Sequence, residues 1–453
     1  MDRYRRSVAV TGIGVVSSLG HDPASFWQAC VEGKSISERV PPYWKQYYQA
    51  KSCYWSPLQL PDYASIGLKR SDILSVDPAA LNAIYAAEQA IESSGCKTSV
   101  INERSGRRQI DSFDAFRCGA FVGTGLGCIT STFQNYVPHL LAGYRDYLNA
   151  APTIGELATI TKELKENLGS QPRVLPIAST KSMTNSISAL LSIRYGLRGP
   201  NETCVAACAA GATAIARAHE LISRGKLDFA IAGGTEYYGD RAGGVFMAFD
   251  RLNTLARGDE SADKVNRPFD VARTGFLFSQ GGACVLALES LESAEARGAQ
   301  VLAILKGAST TSDAYSLVAL EPNGDSIRRM IHDALEDASV DIDEIDYVNA
   351  HGTGTIQNDA LEASVIDTVF RHKPYVNSTK SLLGHTIGAC GALEAAVSVL
   401  SIWSGELHPS VNLEHPVRDM NFVRKRTRSD IRIALTHNFG FGGHNVGLIF
   451  GKE

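Results

Sequence analysis

The sequence predicts a layered α/β protein made of two similar halves, and three observations carry that prediction. Strand-like and helix-like segments alternate along all 453 residues, the pattern of sheets covered by helices. A helical stretch, a short apolar run and a Gly-Thr-Gly turn follow one another twice, ending at Gly123-Thr124-Gly125 and at Gly352-Thr353-Gly354. Two small-residue segments, CAAGATAIARA from Cys208 and HTIGACGALEA from His385, share glycine and alanine at common offsets. That alignment sets Gly211 against Gly388 and Ala218 against Ala395, and makes Cys208 and His385 equivalent.

Apolar residues make up 44% of the chain and charged residues 20%, which excludes a disordered protein. Lys plus Arg number 44 and Asp plus Glu 48, a formal net charge of −4, so no global positive field holds nucleic acid or an anionic membrane. Nine scattered cysteines without paired CxxC knuckles point to reduced thiols in a cytoplasmic protein, with no structural metal. No 18 uncharged apolar residues run together, so no membrane span is expected.

The elements follow in order. Residues 7–16, β-branched and glycine-punctuated, read as a first core strand and not as a signal peptide, despite Arg3, Arg5 and Arg6 ahead of them. Asp77-Pro78 is an N-cap followed by proline at the first helical position, and Gly95 closes that helix. Asn102 to Asp114 is charged and irregular. From Gly211, apolar residues recur at helical spacing opposite Arg217, Glu220 and Arg224, and Phe229–Ala232 is a buried strand turning at Gly233-Gly234. The polar loop 257–267 marks the boundary, giving halves 1–262 and 263–453. Ser326–Ala338 is a helix, Tyr347–Asn349 a strand, and Gly391–Trp403 a helix apolar almost all round and hence sandwiched between layers.

Four features carry candidate chemistry. Cys208 sits at a helix N-terminus, where free N–H groups favour the thiolate; the alternatives are an inert buried thiol or a zinc ligand with Cys204. His351 lies in a glycine-rich loop at a strand end, the place of catalytic residues or of a satisfied structural histidine. His385 opens a helix that disfavours imidazolium, leaving a neutral ring with one N–H to donate. Asn438-Phe439-Gly440-Phe441-Gly442-Gly443-His444 either aims an N–H into a site or is a hairpin turn. The run Arg424–Arg428 is a solvated loop or a dock for an acidic partner.

Taken together, VAACAAG at Cys208, NAHGTGT at His351, STKSLLGHTIGACGALEA with Lys380 and His385, and NFGFGGHN resemble the elongating β-ketoacyl-[acyl-carrier-protein] synthases of fatty acid and polyketide assembly. The resemblance runs from VAVTGIGVVSSLG through YGLRGPN to the last strand. It implies the thiolase fold, two βαβαβαββ halves in five layers (αβαβα). It implies Cys208 as the acyl-accepting nucleophile, with His351 and His385 assisting decarboxylation of a malonyl thioester. It further implies an oxyanion hole from the amides of Cys208 and Phe441, and Phe441 as a gate. Lys380 and Glu362 match a charged pair ordering the histidines, with Asp359 in the same loop. Thr353, Thr355, Phe439, Gly440 and Gly442 match the pantetheine-binding surface. The implied partners are an acyl carrier protein, which delivers the phosphopantetheine so that no cofactor is bound, and a second subunit, identical or chain-length-factor-like. Ala207 and Ala210 stand where the family carries Thr or Ser, Gln280 where it carries an acid, and Ser316 and Val318 where fatty acid enzymes carry His and Thr. The segments 102–114 and 140–169 are longer than in housekeeping enzymes.

Overall fold

The computed structural model describes residues 5–103, 105–134, 177–240, 242–258 and 261–453; the long segment 140–169 lies outside them. Ten strands form the main sheet: β1 (Val8–Val16), β2 (Cys118–Thr124), β3 (Asn201–Val205), β4 (Phe229–Tyr237), β5 (Gly281–Ser290), β6 (Ala303–Ser312), β7 (Tyr347–Asn349), β8 (Tyr375–Asn377), β9 (Ile433–Gly440) and β10 (His444–Gly451). Their order is 8-7-9-10-6-1-5-4-2-3. Each half therefore has the same order, third-second-fourth-fifth-first, and the halves join where β1 and β6 pair antiparallel, Val8 opposite Leu305.

Among the described residues, the helices of ten residues or more that complete the layers are α1 (Pro78–Ser93), α2 (Ser186–Tyr195), α3 (Ala210–Ser223), α4 (Asp325–Ala338), α5 (Ile356–Val369) and α6 (Cys390–Ser404). α1 and α2 cover the first half, α4 covers β6 and β10 with α5 beside it, and α3 and α6 pack between the halves against strands of both. This is the five-layer thiolase-like architecture. Asp77 caps α1 by accepting from the Ala79 amide at 2.8 Å. Residues 387–404 are long and apolar enough to cross a membrane, but 83% of that window is buried in the core.

The structure corrects three expectations. β5 pairs with β1 and β4, so the halves divide between β5 and β6, some thirty residues beyond the 262/263 boundary; a polar loop marks exposure, not the end of a sheet. The strand at Phe229 continues through Gly233-Gly234 to Tyr237. Those glycines serve close approach: a Cβ on Gly233 would lie 1.9 Å from the Cys284 carbonyl.

The third correction concerns the repeat. The short turns before α3 and α6 are 207–209 and 387–389, each opening on a strained residue, Ala207 at φ 46° and Ile387 at φ 49°. A Cβ on Gly211 would lie 2.9 Å from the Ala392 amide, and one on Gly391 2.9 Å from the Ala212 amide. This reciprocity pairs Gly211 with Gly391 and Cys208 with Gly388, not with His385. The sequence alignment slipped by three residues, close to one helical turn, and a run of alanines and glycines repeats well enough to hide the slip.

The stretch 102–114 contributes to a two-stranded hairpin, Thr98–Asn102 with Arg107–Ile110. In the basic run, Arg426 and Arg428 both hold Glu406, while Arg424 and Lys425 are exposed.

Candidate active site

Cys208, His351, His385, Phe439, Gly440 and Phe441 line one cavity of about 350 Å³. Cys208 lies in the turn that opens α3, His351 just past β7, His385 before α6, and Phe441 in the turn between β9 and β10. The hairpin and the site-lining loop are thus one feature, and both readings of the NFGFGGHN motif hold. A Cβ on Gly440 would lie 2.6 Å from the Ala206 carbonyl, so only glycine lets this turn approach the nucleophile.

The Cys208 sulfur is 3.1 Å from His385 Nε2. Burial pushes the Cys208 thiol up to about 12, against the pull of Lys380 and the amides of Phe441 and Cys208 itself, while Glu236 pushes the same way as burial. The helix N-terminus therefore does not make a free thiolate at rest, because desolvation outweighs it. The two amides that face the sulfur are those the resemblance assigns to the oxyanion hole.

Both histidines have a defined tautomer. The Ile387 amide donates to His385 Nδ1 at 3.2 Å, so the ring proton sits on Nε2, facing Cys208. The Lys380 ammonium, a pure donor, is 3.1 Å from His351 Nδ1, which leaves the proton on Nε2 there too. Burial, joined by the positive charge of Lys380, holds both rings well below the ordinary histidine range. The rings stand edge to face, 5.5 Å apart. Two neutral N–H donors and one sulfur thus meet at the cavity floor.

The expected Lys380–Glu362 pair does not form. Lys380 spends its three protons on His351 Nδ1, the His351 carbonyl at 2.8 Å and Glu394 at 2.5 Å. Burial alone would lower the Lys380 pKa, but Cys390 and Glu394 more than offset it. Glu362 instead accepts from the amides of His351 and Gly352, at 2.7 and 2.8 Å, and from His437 at 2.7 Å. It shapes the His351 loop from behind, while Asp359 holds the amides of Phe269 and Gly354 at 2.6 and 3.1 Å. The reason is direction: one turn of α5 presents Glu362 to the loop backbone, whereas α6 carries Glu394 to the ammonium.

Glu394 and Cys390 were missed by sequence reasoning, and Asn438 entered it only as the start of the glycine-rich motif. Asn438 donates to the second Glu394 oxygen at 2.5 Å, and the Cys390 thiol donates to the Cys208 carbonyl at 3.2 Å. The signal for Glu394 was present: it is the one charged residue in the otherwise apolar stretch 390–404. His351, Cys390 and Glu394 place ligand-type atoms within 4.8 Å of one another; Lys380 is hydrogen-bonded to two of them, and Cys204 is not in the group.

Thr353 and Thr355 line the cavity wall with their hydroxyls 2.9 Å apart. Gly442 does not line it: its N–H goes to the Leu317 carbonyl at 2.9 Å. At the mouth, Leu252, Val318 and Ile356 give an apolar rim. Gln280 accepts from the Leu58 amide at 2.9 Å.

Behind the site, burial pushes His408 down to about 4. Its unfolded value is about 6.5, so the unfolded chain binds the extra proton and stability falls as pH drops from 6.5 towards 4, by about 3 kcal/mol for this group. Asp359 and Glu236, raised to about 6 and about 7 by burial, act in the opposite sense. Urea denaturation across this window is therefore expected to show a smaller acid-side loss in His408→Gln than in the unsubstituted protein.

Residues 5–294 match the family "Beta-ketoacyl synthase, N-terminal domain" and residues 302–414 the family "Beta-ketoacyl synthase, C-terminal domain". The chain is 32% identical to 3-oxoacyl-[acyl-carrier-protein] synthase 2 of Coxiella burnetii, over 99% of each chain. It is 31% identical to the enzyme of the same name from Synechocystis, over 99% of this chain and 98% of that one. Among solved structures it superposes on a beta-ketoacyl synthase from Burkholderia phymatum with a TM-score of 0.82 and 27% identity, and on the ishigamide ketosynthase/chain length factor with 0.80 and 28%. Each covers 99% of this chain and 100% of the other. With both family domains matched in tandem and relatives above 30% identity along its whole length, the chain belongs to the β-ketoacyl synthases, the condensing enzymes that form 3-oxoacyl-[acyl-carrier-protein].

Proposed function

We propose that Cys208 carries the growing acyl group and that His351 and His385 act on the extender unit. The Cys208 sulfur attacks the thioester of an acyl-phosphopantetheine, releasing the pantetheine thiol. Malonyl carrier protein then enters, loses carbon dioxide, and its enolate oxygen accepts from the two Nε2–H groups. The enolate carbon attacks the acyl carbonyl, whose oxygen is held by the amides of Cys208 and Phe441; removing one such donor costs about 2.7–4 kcal/mol of transition-state stabilisation. Collapse expels the Cys208 thiolate and gives the 3-oxoacyl product, a ping-pong sequence. Lys380 and Glu362 position His351, and Thr353, Thr355, Phe439 and Gly440 hold the pantetheine arm. The phosphopantetheine arrives on the carrier in the cytoplasm.

The observation that carries this reading is the 3.1 Å contact between the Cys208 sulfur and a His385 whose proton is fixed on Nε2. Its test is intact-protein mass spectrometry after incubation with a panel of acyl carrier proteins. An adduct mapped to Cys208 is expected; its absence both in the folded protein alone and with a chain-length-factor-like subunit added would overturn the assignment. His385→Ala is expected to keep acylation and lose extension by about 10²–10⁴-fold; failure to acylate would reassign His385.

The reading includes a dimer. β3 ends the sheet, partly exposed and without an outer strand partner among the described residues, and an open edge favours pairing with a second subunit. Because one structural relative is a ketosynthase/chain length factor, a second reading has that partner non-identical. Activity of the isolated chain, compared with the chain plus such a subunit, separates the two.

A further inference from the structure

The pseudo-symmetry of the α3 and α6 turns places Gly388 where Cys208 stands in the other half. A Cβ on Gly388 would lie 2.6 Å from a Glu236 carboxylate oxygen and 2.3 Å from the Gly125 amide, so that carboxylate takes the space of a side chain. Glu236 is fully buried. It accepts from the amides of Gly125 at 2.6 Å, Gly388 at 3.2 Å and Leu126 at 3.3 Å, and from the Thr124 hydroxyl at 3.2 Å. No step of the proposed mechanism uses it.

We propose that Glu236 is a positioning residue for His385, its carboxylate anchoring the turn that opens α6. The role runs through the backbone. Ile387, at φ 49°, holds an unfavourable conformation that persists only when its neighbours over-determine it. Its amide is the donor to His385 Nδ1, and the next amide, that of Gly388, is anchored by Glu236. Releasing Gly388 frees the turn that sets the histidine tautomer.

The inference rests on the proposed role of His385, but its test needs no carrier protein, so the two fail separately. Two variants make the test. In Glu236→Gln the remaining oxygen still accepts from Gly125 and Gly388, and the amide donates to Thr124, so the anchor stays. In Glu236→Ala the anchor goes. ¹⁵N-histidine NMR reads the tautomer, and a thermal melt checks the fold. Glu236→Gln is expected to keep the His385 Nε2–H tautomer, and Glu236→Ala to show mixed His385 tautomers. A pure Nε2–H tautomer in folded Glu236→Ala overturns the positioning role, and loss of that tautomer in Glu236→Gln also overturns it.

Discussion

Cys208→Ala is expected to abolish condensation, with the rate down by on the order of 10⁴-fold or more, as for the loss of a covalent nucleophile. The geometry says why no other group takes over. Cys208 is 5% exposed, and its sulfur sits at the cavity floor between the His385 Nε2–H and two backbone amides. Cys390 is the other thiol in that cluster, and it points to the Cys208 carbonyl from the side of α6, not into the cavity, whose lining omits it. The variant should keep its fold, since the change only removes one sulfur atom from a turn flanked by alanines. Carrier-bound substrates, product detection by mass spectrometry and a thermal melt together make the test. Full turnover in a folded Cys208→Ala protein would overturn the nucleophile assignment.

The second large effect is predicted at Glu394. Its carboxylate and the Lys380 ammonium are 1% and 2% exposed and 2.5 Å apart, and such a pair is stable only as a pair. Glu394→Ala leaves a buried ammonium with one acceptor fewer, which is expected to cost about 3–5 kcal/mol in urea denaturation. The double variant Lys380→Met with Glu394→Leu removes both charges, and most of that stability is expected to return. Condensation is not expected to return, because His351 loses the donor that fixes its proton on Nε2. A stable Glu394→Ala protein would show the pair to be dispensable. An active double variant would show that Lys380 does not position His351. Glu362, to which this role first fell, is instead a backbone anchor, and its loss is a loop defect rather than an unpaired charge.

The sequence alone showed the layered α/β plan, the duplication and the residues that meet in the cavity, because those signals are local. Strand and helix periods, the Asp77-Pro78 cap and the glycine turns around Cys208, His351 and Phe441 each lie within a few neighbouring residues. Tertiary structure decided what depends on distance through the core. Whether Lys380 finds Glu362 or Glu394, whether Gly388 or His385 mirrors Cys208, and where β5 belongs are set by packing between segments far apart in sequence. The sign of the Cys208 shift belongs to the same class. A helix N-terminus argues for the thiolate, but the cost of desolvation depends on every atom that excludes water, and here that cost prevails. Local pattern specifies which groups are present; burial and long-range pairing determine their charge, their protons and their partners.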